Sequence, residues 1–237
     1  MPKWKSITII FIGLALTTIA FGAKSKSGDY KNGILTDSQM GYTMVIPDNW
    51  RVKVFNEPSI QRVLMIKRNY EINKTVKELG GEFTIPEIRV FARPDSMTPA
   101  EFLDKLKGDV DIHKTQDNII SQLELLSGGE FSQAQDIVLD SIPAIKAIFK
   151  KNYERKLEVD PNDAHYRQYG GLLVQNEHLV HELYIFKRNG RLFVIHAFAE
   201  REFYPINKDE FNKIIGSISF AAAGTKAALP SPLDTGK

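Results

Sequence analysis

Asn189-Gly190 separates the runs HELYIFKR and RLFVIHAF, and no other feature constrains the fold of this chain as tightly. Asn-Gly is the dipeptide of a two-residue type I′ hairpin turn, because both central positions need positive φ. A turn of that length sets the register: Arg188 opposes Arg191, Phe186 opposes Phe193, and Tyr184 opposes Ile195. Leu183, Ile185, Leu192, Val194 and Phe198 then share one face, while Tyr184, Phe186, Phe193 and Ile195 share the other. A hairpin that is apolar on both faces belongs in the middle of a sheet covered on two sides.

Other segments supply that sheet and its cover. Tyr42, Met44 and Ile46 alternate with Thr43 and Val45, Pro47-Asp48-Asn49 breaks the run, and Trp50, Val52 and Val54 resume it, which predicts strand, turn, strand. Arg62 to Arg68 and Ile85 to Arg93 read as further strands, with a polar surface excursion from Asn69 to Glu82 between them. Thr98-Pro99-Ala100-Glu101 is a capping box with Pro at the first helical position, so a helix starts there and Gly108 ends or bends it. Ile119, Ile120, Leu123 and Leu126 predict a second helix over Asp117 to Leu126. Strands at about Ala134 to Leu139 and Ala144 to Asn152 precede a polar stretch, Glu154 to Gly171, read as a long loop. A closing helix is expected from Asn207, with Glu210 as its capping-box partner and Phe211, Ile214, Ile215 and Ile218 as its apolar stripe. Ser217 to Phe220 finishes that helix or adds a short strand.

The ends of the chain differ from this. Lys3 and Lys5 precede the uncharged run ITIIFIGLALTTI, and Ala20-Phe21-Gly22 places small residues where a signal peptidase reads. Residues 1–22 are therefore read as an export signal cleaved before Ala23, with an uncleaved single-pass anchor as the alternative. Residues 23–32 read as a flexible leader, 33–220 as one domain, and 221–237, AAAGTKAALPSPLDTGK, as a disordered tail. The formal charge of +2 belongs to the signal: without residues 1–22 the chain has 29 basic and 29 acidic groups. A neutral domain argues against nucleic-acid binding. With no cysteine, disulfides, thiolate metal sites and a lipoprotein anchor are all excluded.

The opening GYTMVIPDNWRV, the strand PEIRVFARPD leading into SMTPAEFLDKL, and the close GRLFVIHAFAEREF with EFNKIIGSISF resemble the PsbP-like family. That fold is shared with DcrB-type periplasmic proteins and a Ran-binding nuclear import factor. The resemblance covers Gly41 to Phe220. It implies an α+β fold, an antiparallel sheet sandwiched between helices (α/β/α), and accessory or binding roles in exported compartments more than catalysis. Many bacterial relatives are lipoproteins, which this chain, lacking cysteine, cannot be.

Candidate chemistry is sparse. No G-x-S-x-G, phosphate loop or dinucleotide fingerprint occurs, so no catalytic residue and no cofactor is assigned. His181 and His196 become diagonal neighbours in the hairpin register; they read as histidines hydrogen-bonded at the sheet surface, with a metal or proton-switch site as the alternative. Asp160-Pro161-Asn162-Asp163 with Glu158 lacks the spacing of a calcium loop. Lys146 and Lys150 share one strand face, where they could meet an anionic lipid head group or an acidic partner. Trp50 reads as a core anchor, or as a binding hot spot if exposed. These residues suit an exported, non-enzymatic accessory protein, a platform for an unidentified protein partner in the cell envelope, with peripheral membrane contact. The alternatives are a small-molecule or lipid-binding domain with a pocket lined by Tyr184, Phe186 and Phe193, and a hydrolase using His196 and Glu200.

Overall fold

A computed structural model describes residues 28–56, 58–68, 84–108, 115–123, 126–157 and 173–221. The segments read as export signal and as surface excursion, the 158–171 part of the long loop with its Asp160 cluster, and residues 222–237 lie outside the described residues.

The Asn189-Gly190 turn organises the molecule. Asn189 has φ 48° and Gly190 φ 70°, as a type I′ turn requires. It joins β9 (Leu173–Arg188) to β10 (Arg191–Glu200) in the expected register, with Phe186 opposite Phe193 and Tyr184 opposite Ile195. The hairpin sits inside a seven-stranded sheet of order β4-β5-β6-β10-β9-β8-β7, whose described pairings are all antiparallel. The other members are β4 (Trp50–Val54), β5 (Gln61–Lys67), β6 (Glu87–Pro94), β7 (Gly129–Leu139) and β8 (Ile142–Leu157).

Each sheet face carries its own core, which the two-faced hairpin demanded. On one face, Tyr184, Phe186, Phe193 and Ile195 pack with Ile88, Val90 and Phe211, Ile214 and Ile215 of α2 (Tyr204–Gly216). On the other, Leu183, Ile185, Leu192, Val194 and Phe149 pack with Phe102 and Leu103 of α1 (Pro99–Lys107) and with Ile119, Ile120, Leu123 and Leu126. Each large side chain buried this way contributes about 1.5–3 kcal/mol. The fold is α+β, with the antiparallel sheet between helical layers.

A second sheet is an addition that the sequence did not announce. Four short strands, β1 (Gly28–Lys31), β2 (Ile34–Asp37), β3 (Tyr42–Val45) and β11 (Ser219–Phe220), lie in the order β1-β2-β3-β11 beside α2, so β3 and β4 do not pair across Pro47 but enter different sheets. Part of the stretch read as flexible leader is thus β1. Its turn, Asn32 (φ 53°) and Gly33 (φ 74°), uses the same dipeptide as the central hairpin. Gly28 passes so close to β4 that a Cβ there would lie 2.4 Å from Val54 Cγ1.

Three further boundaries differ from expectation. Asp117 Oδ1 accepts from the amides of Ile119 and Ile120, and Leu123 departs from helical geometry at ψ 37°, so the expected second helix is a 3-10 turn, Ile120–Gln122. The apolar stripe is buried all the same. α2 starts one turn earlier than Asn207, with Pro205 in its first turn; Asn207 lies inside it and Glu210 bonds Asn49 and Lys67 instead of capping. β8 continues to Leu157 and β9 begins at Leu173, so both flanks of the stretch read as loop are strand-paired. By contrast the α1 capping box forms as read, with Thr98 Oγ1 accepting from Glu101 N and Glu101 Oε2 accepting from Thr98 N.

Candidate functional site

Alternation along β9 sends Glu182 to the α2 face and its neighbour His181 to the α1 face. Glu182 is wholly buried, and a buried carboxylate needs donors. Tyr184, two residues on and so on the same face, donates its hydroxyl at 2.7 Å. Tyr204, at the start of α2, donates a second. Lys146 on β8, opposite Tyr184 in register, brings its ammonium to 3.1 Å. Burial and the Glu182 charge both push the Tyr184 and Tyr204 hydroxyls far above the ordinary tyrosine range, so both stay protonated donors.

Asn212 of α2 closes the arrangement. Its Oδ1 lies 3.1 Å from Lys146 Nζ and 3.1 Å from the Tyr184 hydroxyl. The Lys146 ammonium also sits 5.0 Å from the centre of the Tyr184 ring. Outside this cluster a cavity of about 300 Å³ opens between β7, β8 and α2, lined by Gln133, Gln135, Lys146, Ile148, Lys208 and Asn212. A second, of about 410 Å³, lies at the C-terminal end of α1 near Leu106, Leu126 and Phe131.

β7 bounds the first cavity and is one edge of the large sheet. Among the described residues it pairs with β8 alone, and Glu130 to Asp136 are exposed without a break. Phe131 and Val138 are among the exposed large apolar side chains.

The residues singled out from sequence fare unequally. Trp50 is fully buried against Phe211, at 6.0 Å between ring centres, which makes it a core anchor and removes it from any binding surface. Lys146 is corrected likewise: its charge is spent inside the Glu182 cluster, and of the expected basic pair Lys150 alone is exposed, opposite Glu130 in register. His181 and His196 do meet, but within the α1-side interior and not at the surface. Both are wholly buried, with Nδ1 of His181 2.9 Å from Nε2 of His196 and the rings stacked at 5.2 Å. Burial first, then the Lys151 and Arg89 charges, lower the His181 imidazole to about 3; burial and the neighbouring histidine lower His196 as well. Two ring nitrogens make a poor metal site, and among the described residues no group of three potential ligands converges.

The lining expected for an apolar pocket is packed solid. Phe186 stacks on Phe193 at 5.0 Å, and Phe220 meets both edge-on. Nor do His196 and Glu200 act together, since His196 is committed to His181 and Glu200 Oε1 accepts from Thr84 N. Glu182, Tyr204 and Asn212 were missed by sequence reasoning. A charged residue in the midst of HLVHELYIF was the one signal available for Glu182.

No family model matches the chain, and a search of curated proteins by sequence returns no match. Solved structures share its outline. A cyanobacterial PsbP, CyanoP from Synechocystis sp. PCC 6803, matches at TM-score 0.45 and 11% identity, over 84% of this chain and 96% of that one. LpqN of Mycobacterium tuberculosis, described as involved in cell envelope biogenesis, matches at TM-score 0.44 and 13% identity, over 76% and 83%. The Ran-binding protein Mog1p of Saccharomyces cerevisiae matches at TM-score 0.43 and 9% identity, over 81% and 96%. The PsbP-like resemblance read from the sequence is met again in these structures. At such scores it reaches no further than the outline of the fold, and no residue role is carried across.

Proposed function

We propose that this protein is an exported, non-enzymatic accessory or binding protein that serves as a protein-interaction platform at or near a membrane. The observation that carries the reading is the β7 edge, which among the described residues pairs with β8 alone. Eleven residues long, it contains neither Lys nor Pro, the residues that ordinarily guard an edge, and its one irregularity is a bulge between Phe131 and Gln133. Backbone donors and acceptors that no described strand takes along such an edge suit an extended segment of a partner, added as a further strand. Export rests on residues 1–22, and contact with a membrane surface rests on exposed Lys150 and on that same segment. Among the described residues no helix is long and apolar enough to cross a membrane.

The test is crosslinking in the native envelope with the wild-type chain and with Ala134→Lys/Val138→Lys, which guards the edge with charge. Capture of one defined partner by the wild type and its loss in the variant is the expected outcome. Equal capture by both chains, or a specific turnover abolished by one polar substitution, would overturn the reading.

A further inference from the structure

The cavity beneath β7 has a chemistry of its own, independent of what pairs with the edge. An ammonium group has three donors. Lys146 Nζ donates to Asn212 Oδ1 at 3.1 Å and is ion-paired to Glu182 Oε1 at 3.1 Å, while its side chain lines the cavity. Glu182 balances the Lys146 charge, whereas Lys208 at the rim is exposed and has no acidic partner among the described residues. Among the described residues no carboxylate lines the cavity, and those residues give it one net positive charge.

The remaining polar lining is amide. Gln133 and Gln135 of β7 line it together with Asn212, whose Oδ1 accepts from Lys146. Amides both donate and accept, which matches hydroxyl groups. Ile148 supplies the apolar wall. The volume of about 300 Å³ corresponds to about ten water molecules, at the small end of ligand pockets and too small for a lipid. Lys146 is moreover pre-positioned: the carboxylate, the Asn212 amide and the Tyr184 ring hold it before any ligand arrives.

We infer that this corner of the molecule binds a small polyhydroxylated carboxylate, an acid of the size of a six-carbon sugar acid. Its carboxylate would pair with Lys208, and its hydroxyls would lie against Gln133, Gln135 and Asn212.

Calorimetric titration of the full chain at low salt with gluconate, sorbitol and acetate separates charge from hydroxyls. Gluconate is expected to bind saturably and at least about tenfold more tightly than sorbitol or acetate, and Lys208→Gln is expected to weaken it by about tenfold. Lys208 makes no described contact, and an unchanged unfolding midpoint for Lys208→Gln confirms that the fold is intact. Absence of saturable gluconate binding, equal binding of sorbitol or acetate, or affinity unchanged in Lys208→Gln would overturn the assignment.

Discussion

Arg62 Nε donates to Asp37 Oδ2 at 2.9 Å with both side chains wholly buried, tying β5 of the large sheet to β2 of the small one. Asp37 also accepts from the amides of Gln39 and Met40, and the guanidinium reaches Gln39 Oε1. Removing one partner would leave a desolvated charge. Arg62→Met should therefore cost about 3–5 kcal/mol in denaturant unfolding. Asp37→Asn combined with Arg62→Met should recover part of that loss, because no unpaired charge remains.

The buried histidine pair gives a pH dependence of defined sign. Both imidazoles are lowered below their ordinary 6.5, so in acid the unfolded chain binds protons that the folded chain refuses. Stability should be level above about pH 7 and decline below about 6.5, by up to ~1.4 kcal/mol per pH unit per histidine. The decline extends toward pH 3, where His181 takes its proton. Glu87 and Arg89 of β6, Lys151 of β8 and Glu200 of β10 lie on the same sheet face. The His181→Phe/His196→Leu variant should lose most of the slope in unfolding midpoints measured from pH 7 to 4.

Asp117 acts in a lower window. Burial alone would raise its carboxyl, but Arg93, the Ile120 amide and Lys105 outweigh burial and hold it well below the usual carboxylate range. Its contribution is present above the ordinary value of 3.8 and is lost as pH falls below it. Asp117→Asn, which keeps the shape but weakens the Arg93 pair, should cost about 2 kcal/mol at neutral pH. It should also flatten the unfolding curve below pH 4.

Trp50 is packed against Phe211 with none of its surface exposed. In a chain beginning at Ala23 its fluorescence should be blue-shifted relative to an indole in water and insensitive to iodide quenching. Trp50→Ala should cost about 3–5 kcal/mol by the same unfolding assay.

Lys146→Met leaves the Glu182 carboxylate with its two tyrosine donors and without its cation. The expected cost is about 3–5 kcal/mol. Lys146→Met/Glu182→Gln should be markedly less damaged, and a double-mutant cycle on the two unfolding free energies checks the coupling.

Much of the fold was legible because its signals are local. The hairpin register follows from the dihedrals that Asn189-Gly190 adopts and from the period-two alternation on either side. The α1 start follows from a capping box that closes within four residues. Asn32-Gly33 carried the same turn signal, but its flanking strands span four residues each, too few for alternation to stand out. The helix expected over Asp117 to Leu126 failed because periodicity reports which residues are buried and not the backbone that buries them.

By itself, then, the sequence determined the central hairpin, its two buried faces and the capped first helix, since each depends on contacts between residues near in the chain. It also determined that Glu182 and His181 face opposite ways. Only the tertiary structure decided what each would meet. Glu182 depends on Lys146 and Tyr204, 36 residues before it and 22 after. Asp37 depends on Arg62 across two sheets. Alternation gives a side chain its face, but which charge lies across from it is set by how distant elements pack, and at this corner those elements leave a cavity between β7, β8 and α2.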